Sequence, residues 1–183
     1  MKPDATSMIP AAPALISVAL RPLPLAPLQP LLAALLSAVI RQHPGIFERL
    51  GEHVGKRFGV DPTDLPFAFV LEPRPGASRM TAVRVLPRDG LDARVAGPFV
   101  GLIGLANGTF DGDALFFSRD LSIEGDIEAI VALRNAMDDA GVDIVRDAAA
   151  CLGAFGPPFE LALRIAAIVA EKLAPDVGGR RWN

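Results

Sequence analysis

Apolar positions recur along this chain at two periods, and the places where one period gives way to the other mark its elements. "LQPLLAALLSAVIRQ" sets Leu28, Leu31, Leu32, Leu35, Leu36, Val39 and Ile40 at helical spacing, and His43 followed by Pro44 predicts where that helix stops. Ile46, Leu50, Val54 and Phe58 form the next stripe, with Glu48, Arg49, Glu52 and Lys56 turned to water, which predicts a second helix over residues 45–58. The period then falls to two. "FAFVLEP" and "RMTAVRVLP", joined by the Pro, Gly and Ser of "EPRPGAS", predict a hairpin, and the alternation of Val83 and Val85 with Arg84 gives it one wet face. "RDG" makes a turn and "LDARVAG" a third strand. "PFVGLIGLANG" returns to helix, opened by Pro98 and closed by Gly108.

A second block, "DALFFSRDLSIEGDIEAIVALRNAMDD", repeats the change of period. Leu121 and Ile123 alternate with Ser122 and Glu124 as a half-buried strand. Gly125 allows a sharp exit, Asp126 is placed as N-cap, and Glu128 opposes the helix dipole in the first turn. Ile127, Ile130, Val131 and Met137 then form a stripe interrupted by Arg134, ending before Gly141. A last helical pattern, "FELALRIAAIVAEKL", follows Pro157 and Pro158. The expected organisation is a proline-rich arm over residues 1–27, one domain over 28–174 and a short tail over 175–183.

Composition adds that something apolar must be accommodated: hydrophobic residues make up 51% of the 183, charged ones only 21%, and ten Phe stand against one Trp and no Tyr. Nearly all the aromatic surface therefore lacks a polar handle, which suits dry walls. The net charge of −3 offers no basic face for nucleic acid. The single Cys151 excludes an internal disulfide, which suits a reducing compartment or a chain indifferent to redox, with the cytoplasm as the default setting. Five prolines between Pro3 and Pro24 break the apolar run that a signal peptide needs. Residues 22–40 carry no charge, but prolines crowd their first half, and the helix left from Pro30 to Arg41 rises roughly 18 Å, short of a ~30 Å hydrocarbon core.

Bond-making chemistry finds little support. His43 and His53 have no carboxylate or cysteine at ligand spacing, Cys151 sits among small apolar residues, and the glycines of "GLIGLANG" do not follow the phosphate-binding pattern. Neither Ser118 nor Ser122 lies in a G-x-S-x-G elbow, which weighs against a small lipid-acting hydrolase. No catalytic residue, metal ligand or cofactor is expected.

The block around Phe116 and Phe117, Leu121 and Ile123, and Gly125 and Asp126 resembles the closing part of sterol-carrier-protein-type lipid-binding domains, and "LDARVAGPFVGLIGLANGTFDGDA" fits the part preceding it. With two leucine-rich helices ahead of the sheet, residues 28–140 are more narrowly similar to small bacterial accessory proteins of oxygen-independent ubiquinone biosynthesis. The resemblance implies an α+β domain: a mainly antiparallel sheet of four to five strands, covered by helices, enclosing an apolar lipid tunnel, with a helical N-terminal extension. It implies a non-enzymatic carrier of a prenyl lipid or ubiquinone precursor, with oxygen-independent hydroxylases as partners. The expected lining is Phe67, Phe69, Val83, Val85, Leu102 and Leu105, together with Phe116, Phe117, Leu121, Ile123, Ile130 and Met137. Leu32 and Leu36, with Arg180, Arg181 and Trp182, are candidate contacts to an anionic membrane surface, peripheral at the inner membrane. The same leucine stripe equally suits core packing, a partner or a homodimer. A general lipid carrier or interaction module outside ubiquinone chemistry is the alternative function.

Overall fold

The computed structural model of the chain describes residues 24–108 and 121–151. Within them the order is α1 (Leu28–Gln42), α2 (Ile46–Leu50) running into a 3-10 turn (Gly51–His53), β1 (Phe58–Pro62), β2 (Ala68–Glu72), β3 (Arg79–Val83), β4 (Ala93–Gly97), α3 (Phe99–Ala106), β5 (Ser122–Gly125), α4 (Ile127–Asp139) and α5 (Ile144–Cys151). The five strands form one open sheet in the order β3-β2-β1-β4-β5. Only the β1 and β4 pair is parallel, so the sheet is mixed but mostly antiparallel, as expected of the α+β class.

Register decides which side chains meet. Phe58 lies opposite Leu71 and Ala93, Val60 opposite Phe69 and Val95, and Val95 opposite Ile123. Because side chains alternate across a sheet, these residues share one face. Helices α3 and α4 cover it, and Leu102, Leu121, Ala129 and Ile130 close on Phe58, Ala93 and Val95 to form the buried core. Phe58 is fully buried there, and burial of a side chain of that size stabilises by about 1.5–3 kcal/mol.

Phe58 also marks where the sequence pattern and the structure part. The helix expected over 45–58 stops at Leu50, because Gly51 and Gly55 take positive φ of 57° and 86°, a region that other residues enter only at a cost. The last residue of the helical stripe instead opens β1, the central strand of the sheet. Helix α5 is likewise an element that the apolar pattern does not predict.

From the edge strand β3 the chain must return over β2 and β1 to reach β4. It does so with Leu86 and Leu91 lying over Gly59, where an added Cβ would come within 2.9 Å of both side chains. At the β3 edge, α1 lies against the strand. Gln29 acts there as a surrogate strand: its Nε2 donates to the Ala82 carbonyl at 2.8 Å, and the Ala82 N–H donates to its Oε1 at 3.2 Å. No helix among the described residues is long and apolar enough to cross a membrane.

Candidate functional site

The apolar face of the sheet, with α3 and α4 above it, is where the expected lipid-lining residues gather. Leu102, Leu121 and Ile130 belong to the buried cluster, and Leu105 and Ile123 pack against it, beside Val60, Leu71 and Leu133. Phe69 points to the same side by register with Val60, and its ring meets that of Phe67 edge to face, centroids 5.6 Å apart. Met137 is half-buried on α4.

Two of the expected residues lie elsewhere. Val83 pairs with Ala68 and so shares the opposite face from Phe69. Val85 follows the end of β3 and is 81% exposed. Phe116, Phe117, Arg180, Arg181 and Trp182 lie outside the described residues. In α1, Leu32 is buried, Leu36 half-buried and Leu31 exposed, so the outward leucine is one position away from the one the stripe suggested.

The Gly-Asp elbow that introduces α4 is as the sequence implied. Gly125 has φ of 82°, and the Asp126 side chain caps the helix by accepting from the Ala129 N–H at 3.0 Å. The structure adds a partner. Lys56 Nζ donates to Asp126 and to His53 Nδ1. The Lys56 hydrogen bond, then the Ala129 N–H, hold the Asp126 carboxyl below the usual aspartate range. The same hydrogen bond to Asp126 raises Lys56. The elbow is thus pinned to the loop before β1.

On the other face, Arg94 joins Asp61 of β1 and Glu124 of β5, its cross-strand partner at 3.2 Å. The Asp61 hydrogen bond chiefly pushes the guanidinium further up. These three and Leu86, Arg88 and Leu91 line a shallow groove of about 620 Å³. Among the described residues its walls mix both charges with aliphatic groups and hold no Ser, Thr, Cys, Lys or His side chain.

The two histidines are engaged in packing contacts: His43 with the Ala140 carbonyl and Asp147, His53 with Lys56. Ser122 is exposed on β5. Among the described residues no three His, Cys, Asp or Glu side chains converge as metal ligands. Sequence reasoning missed Phe58, which it gave to a helix, and the burial of Asp147, which no local pattern announced.

This arrangement can be set against known proteins. No curated protein matches the chain in sequence. Among solved structures, the "UbiJ-SCP2 Ubiquinone synthesis protein" superposes with a TM-score of 0.50 at 20% identity, covering 64% of this chain and 95% of the other. The apo sterol carrier protein 2 of Yarrowia lipolytica aligns with a TM-score of 0.44 at 12% identity, over 60% of this chain and 88% of that one. A sterol carrier protein-2-like protein of Aedes aegypti gives 0.42 at 13%, over 56% and 95%. The model of the SCP-2 sterol transfer family matches residues 36–138. That match takes in the sheet, both helices above its apolar face and the Gly-Asp elbow, and with it the chain belongs to the SCP-2 sterol transfer family.

Proposed function

We propose that this protein is a non-enzymatic lipid carrier that binds and presents prenylated intermediates of ubiquinone biosynthesis in an oxygen-independent pathway. The observation that carries the lipid-binding part is membership of the sterol transfer family across the sheet and its covering helices. The finer part, a ubiquinone precursor handed to oxygen-independent hydroxylases, is supported by the likeness of residues 28–140 to accessory proteins of that pathway. It agrees with the name of a structural neighbour, a ubiquinone synthesis protein.

Energetics favour a carrier over a permanent holder. Burying about ten carbons of a prenyl tail contributes on the order of 8 kcal/mol at ~0.8 kcal/mol per methylene, against ~4–15 kcal/mol for association. Binding of that strength is reversible, as presentation requires. On this reading the chain works in the bacterial cytoplasm and at the inner membrane surface.

Native mass spectrometry of the purified full chain, followed by extraction and identification of the co-purifying lipid, tests the proposal. A prenylated phenol or quinone precursor is expected. A sterol-like or acyl lipid would leave the carrier reading and remove the ubiquinone one. A chain that binds neither endogenous nor added lipid would remove both.

A further inference from the structure

Three helix ends meet at one imidazole, which stands between two acceptors. His43 is the C-cap of α1, and its Nδ1 lies 2.8 Å from the carbonyl of Ala140, the C-cap of α4. Its Nε2 lies 3.1 Å from Oδ2 of Asp147, in the first turn of α5. The His43 side chain is 11% exposed and that of Asp147 1%, so water is largely shut out of the pair.

The two acceptors set the number of protons the pair must hold. A carbonyl only accepts, so Nδ1 must carry a proton. The bond between Nε2 and the carboxyl group needs a second one, on the ring or on the acid. The helix dipoles put it on the ring. The C-termini of α1 and α4 turn their negative ends to the imidazole, and the positive end of α5 lies at Asp147, so imidazolium and carboxylate are each favoured where they stand. Without that proton, one ring nitrogen turns a lone pair on an acceptor. The Asp147 carboxylate, whose Oδ1 has no hydrogen bond, then stays buried without its counter-charge.

Neighbouring charges are turned elsewhere. Arg146 Nε is 3.6 Å from Asp147 Oδ1 without a hydrogen bond, on a side chain that is mostly exposed. Asp143 accepts from the Val145 and Arg146 N–H groups and from Asn107. On α4, Asp139 meets Arg49 of α2 at 3.8 Å and Asp138 lies beside Gly108, while Arg41 of α1 is exposed. None of these forms a hydrogen bond or ion pair with the ring.

We propose that His43 and Asp147 form a proton-held latch on α5: the charged pair fastens α5 to the ends of α1 and α4, and loss of its proton lets α5 open. An unfolded histidine gives up its proton above about pH 6.5, whereas the folded pair keeps it. The stabilisation is therefore complete below that pH and is lost as pH rises beyond it. Asp147→Asn should remove the pH dependence but not the fastening. Its amide can donate to a neutral Nε2 while Nδ1–H still donates to Ala140.

The test compares wild type and Asp147→Asn, both as full chains, through neutral to mildly alkaline pH. Imidazole nitrogen NMR at neutral pH should show both ring nitrogens of His43 protonated in wild type and only Nδ1 protonated in the variant. In urea, the unfolding constant of wild type should climb with pH more steeply than that of the variant, by up to about tenfold per pH unit, the slope for one proton. His53, whose Nδ1 faces Lys56, is common to both proteins and cancels in the comparison. Amide exchange of residues 148–150 in α5 should quicken over the same range relative to β1, once the intrinsic pH dependence of exchange is divided out. A neutral His43 ring in wild type at neutral pH, equal slopes in the two proteins, or α5 amides that open only with the whole molecule overturns the latch. If Asp147→Asn does not fold, His43→Gln takes its place, since its amide donates to Asp147 without titrating, and the same flattened slope is expected. The latch does not depend on the cargo, so it and the lipid-carrier reading can fail separately.

Discussion

His43 Nε2 lies 3.1 Å from Asp147 Oδ2, joining the C-cap of α1 to α5 across 104 residues. The other ring nitrogen meets the Ala140 carbonyl at 2.8 Å, so one imidazole ties together three helices. Asp147 is fully buried, and its second oxygen has no hydrogen bond, with Arg146 Nε 3.6 Å away. His43→Ala strands that carboxylate and is expected to destabilise by about 3 kcal/mol or more. Asp147→Asn keeps the shape without the charge and should cost less. Urea unfolding of both single variants and the double checks this, with a double cost below the sum of the singles expected for a coupled pair.

The Lys56 and Asp126 pair should shape the pH dependence of stability at both ends. Asp126 is depressed in the folded chain, so its contribution is complete above the ordinary aspartate value of about 3.9 and is lost as pH falls through the lower native value. Lys56 is raised, so its contribution is complete below about 10.4 and is lost as pH rises through the higher native value. Asp126→Asn should therefore flatten the acid limb of a plot of melting temperature against pH. An acid limb of unchanged slope would show that other carboxylates govern it.

Two glycines with positive φ should respond differently to a methyl group. At Gly141, φ is 68° and nothing lies near the added Cβ. Gly141→Ala should cost only the backbone penalty, about 1 kcal/mol. At Gly125, φ is 82° and the same methyl would strike the Asp92 carbonyl oxygen and Ala93 Cα, both backbone. Gly125→Ala should cost at least twice as much, read from chemical denaturation midpoints.

Leu31 and Leu32 separate core from surface in α1. Leu32 is buried and Leu31 is 45% exposed. Leu32→Ser should destabilise by about 2–4 kcal/mol, whereas Leu31→Ser should leave stability within about 0.5 kcal/mol. Co-sedimentation with anionic vesicles then tests membrane contact on a folded variant. Loss of sedimentation in Leu31→Ser supports contact through the exposed side of α1, and unchanged sedimentation removes that side from consideration.

Much of this architecture is legible because it is written in local pattern. The hairpin, the helix opened by Pro98, and the cap at Asp126 with its glycine elbow each rest on residues a few positions apart, and the structure keeps them. The central strand is hidden because Ile46, Leu50, Val54 and Phe58 satisfy a helical stripe, and the two glycines that break it weigh little in a periodicity count. Leu102, Leu121 and Ile130 each belong to the apolar stripe of their own element, whereas the face of Val83 is set by its pairing with Ala68 and the exposure of Val85 by the end of β3. Partners such as Asp147 for His43 depend on folding together segments far apart in sequence and have no local signature.

The family match begins at residue 36, and Gln29 lies before it. The side-chain amide that satisfies Ala82 is thus supplied from outside the matched residues. An exposed strand edge invites another chain to pair with it, so this sheet is finite at β3 because a flanking helix brings a stopper to it. A fragment cut back to residues 36–138 would keep every strand yet present that edge to solvent. It would be expected to associate through strand pairing between copies, and because that cut also removes the buried Leu32 and Asp147, the full chain with Gln29→Ala, which keeps both, separates a missing terminator from a loosened core.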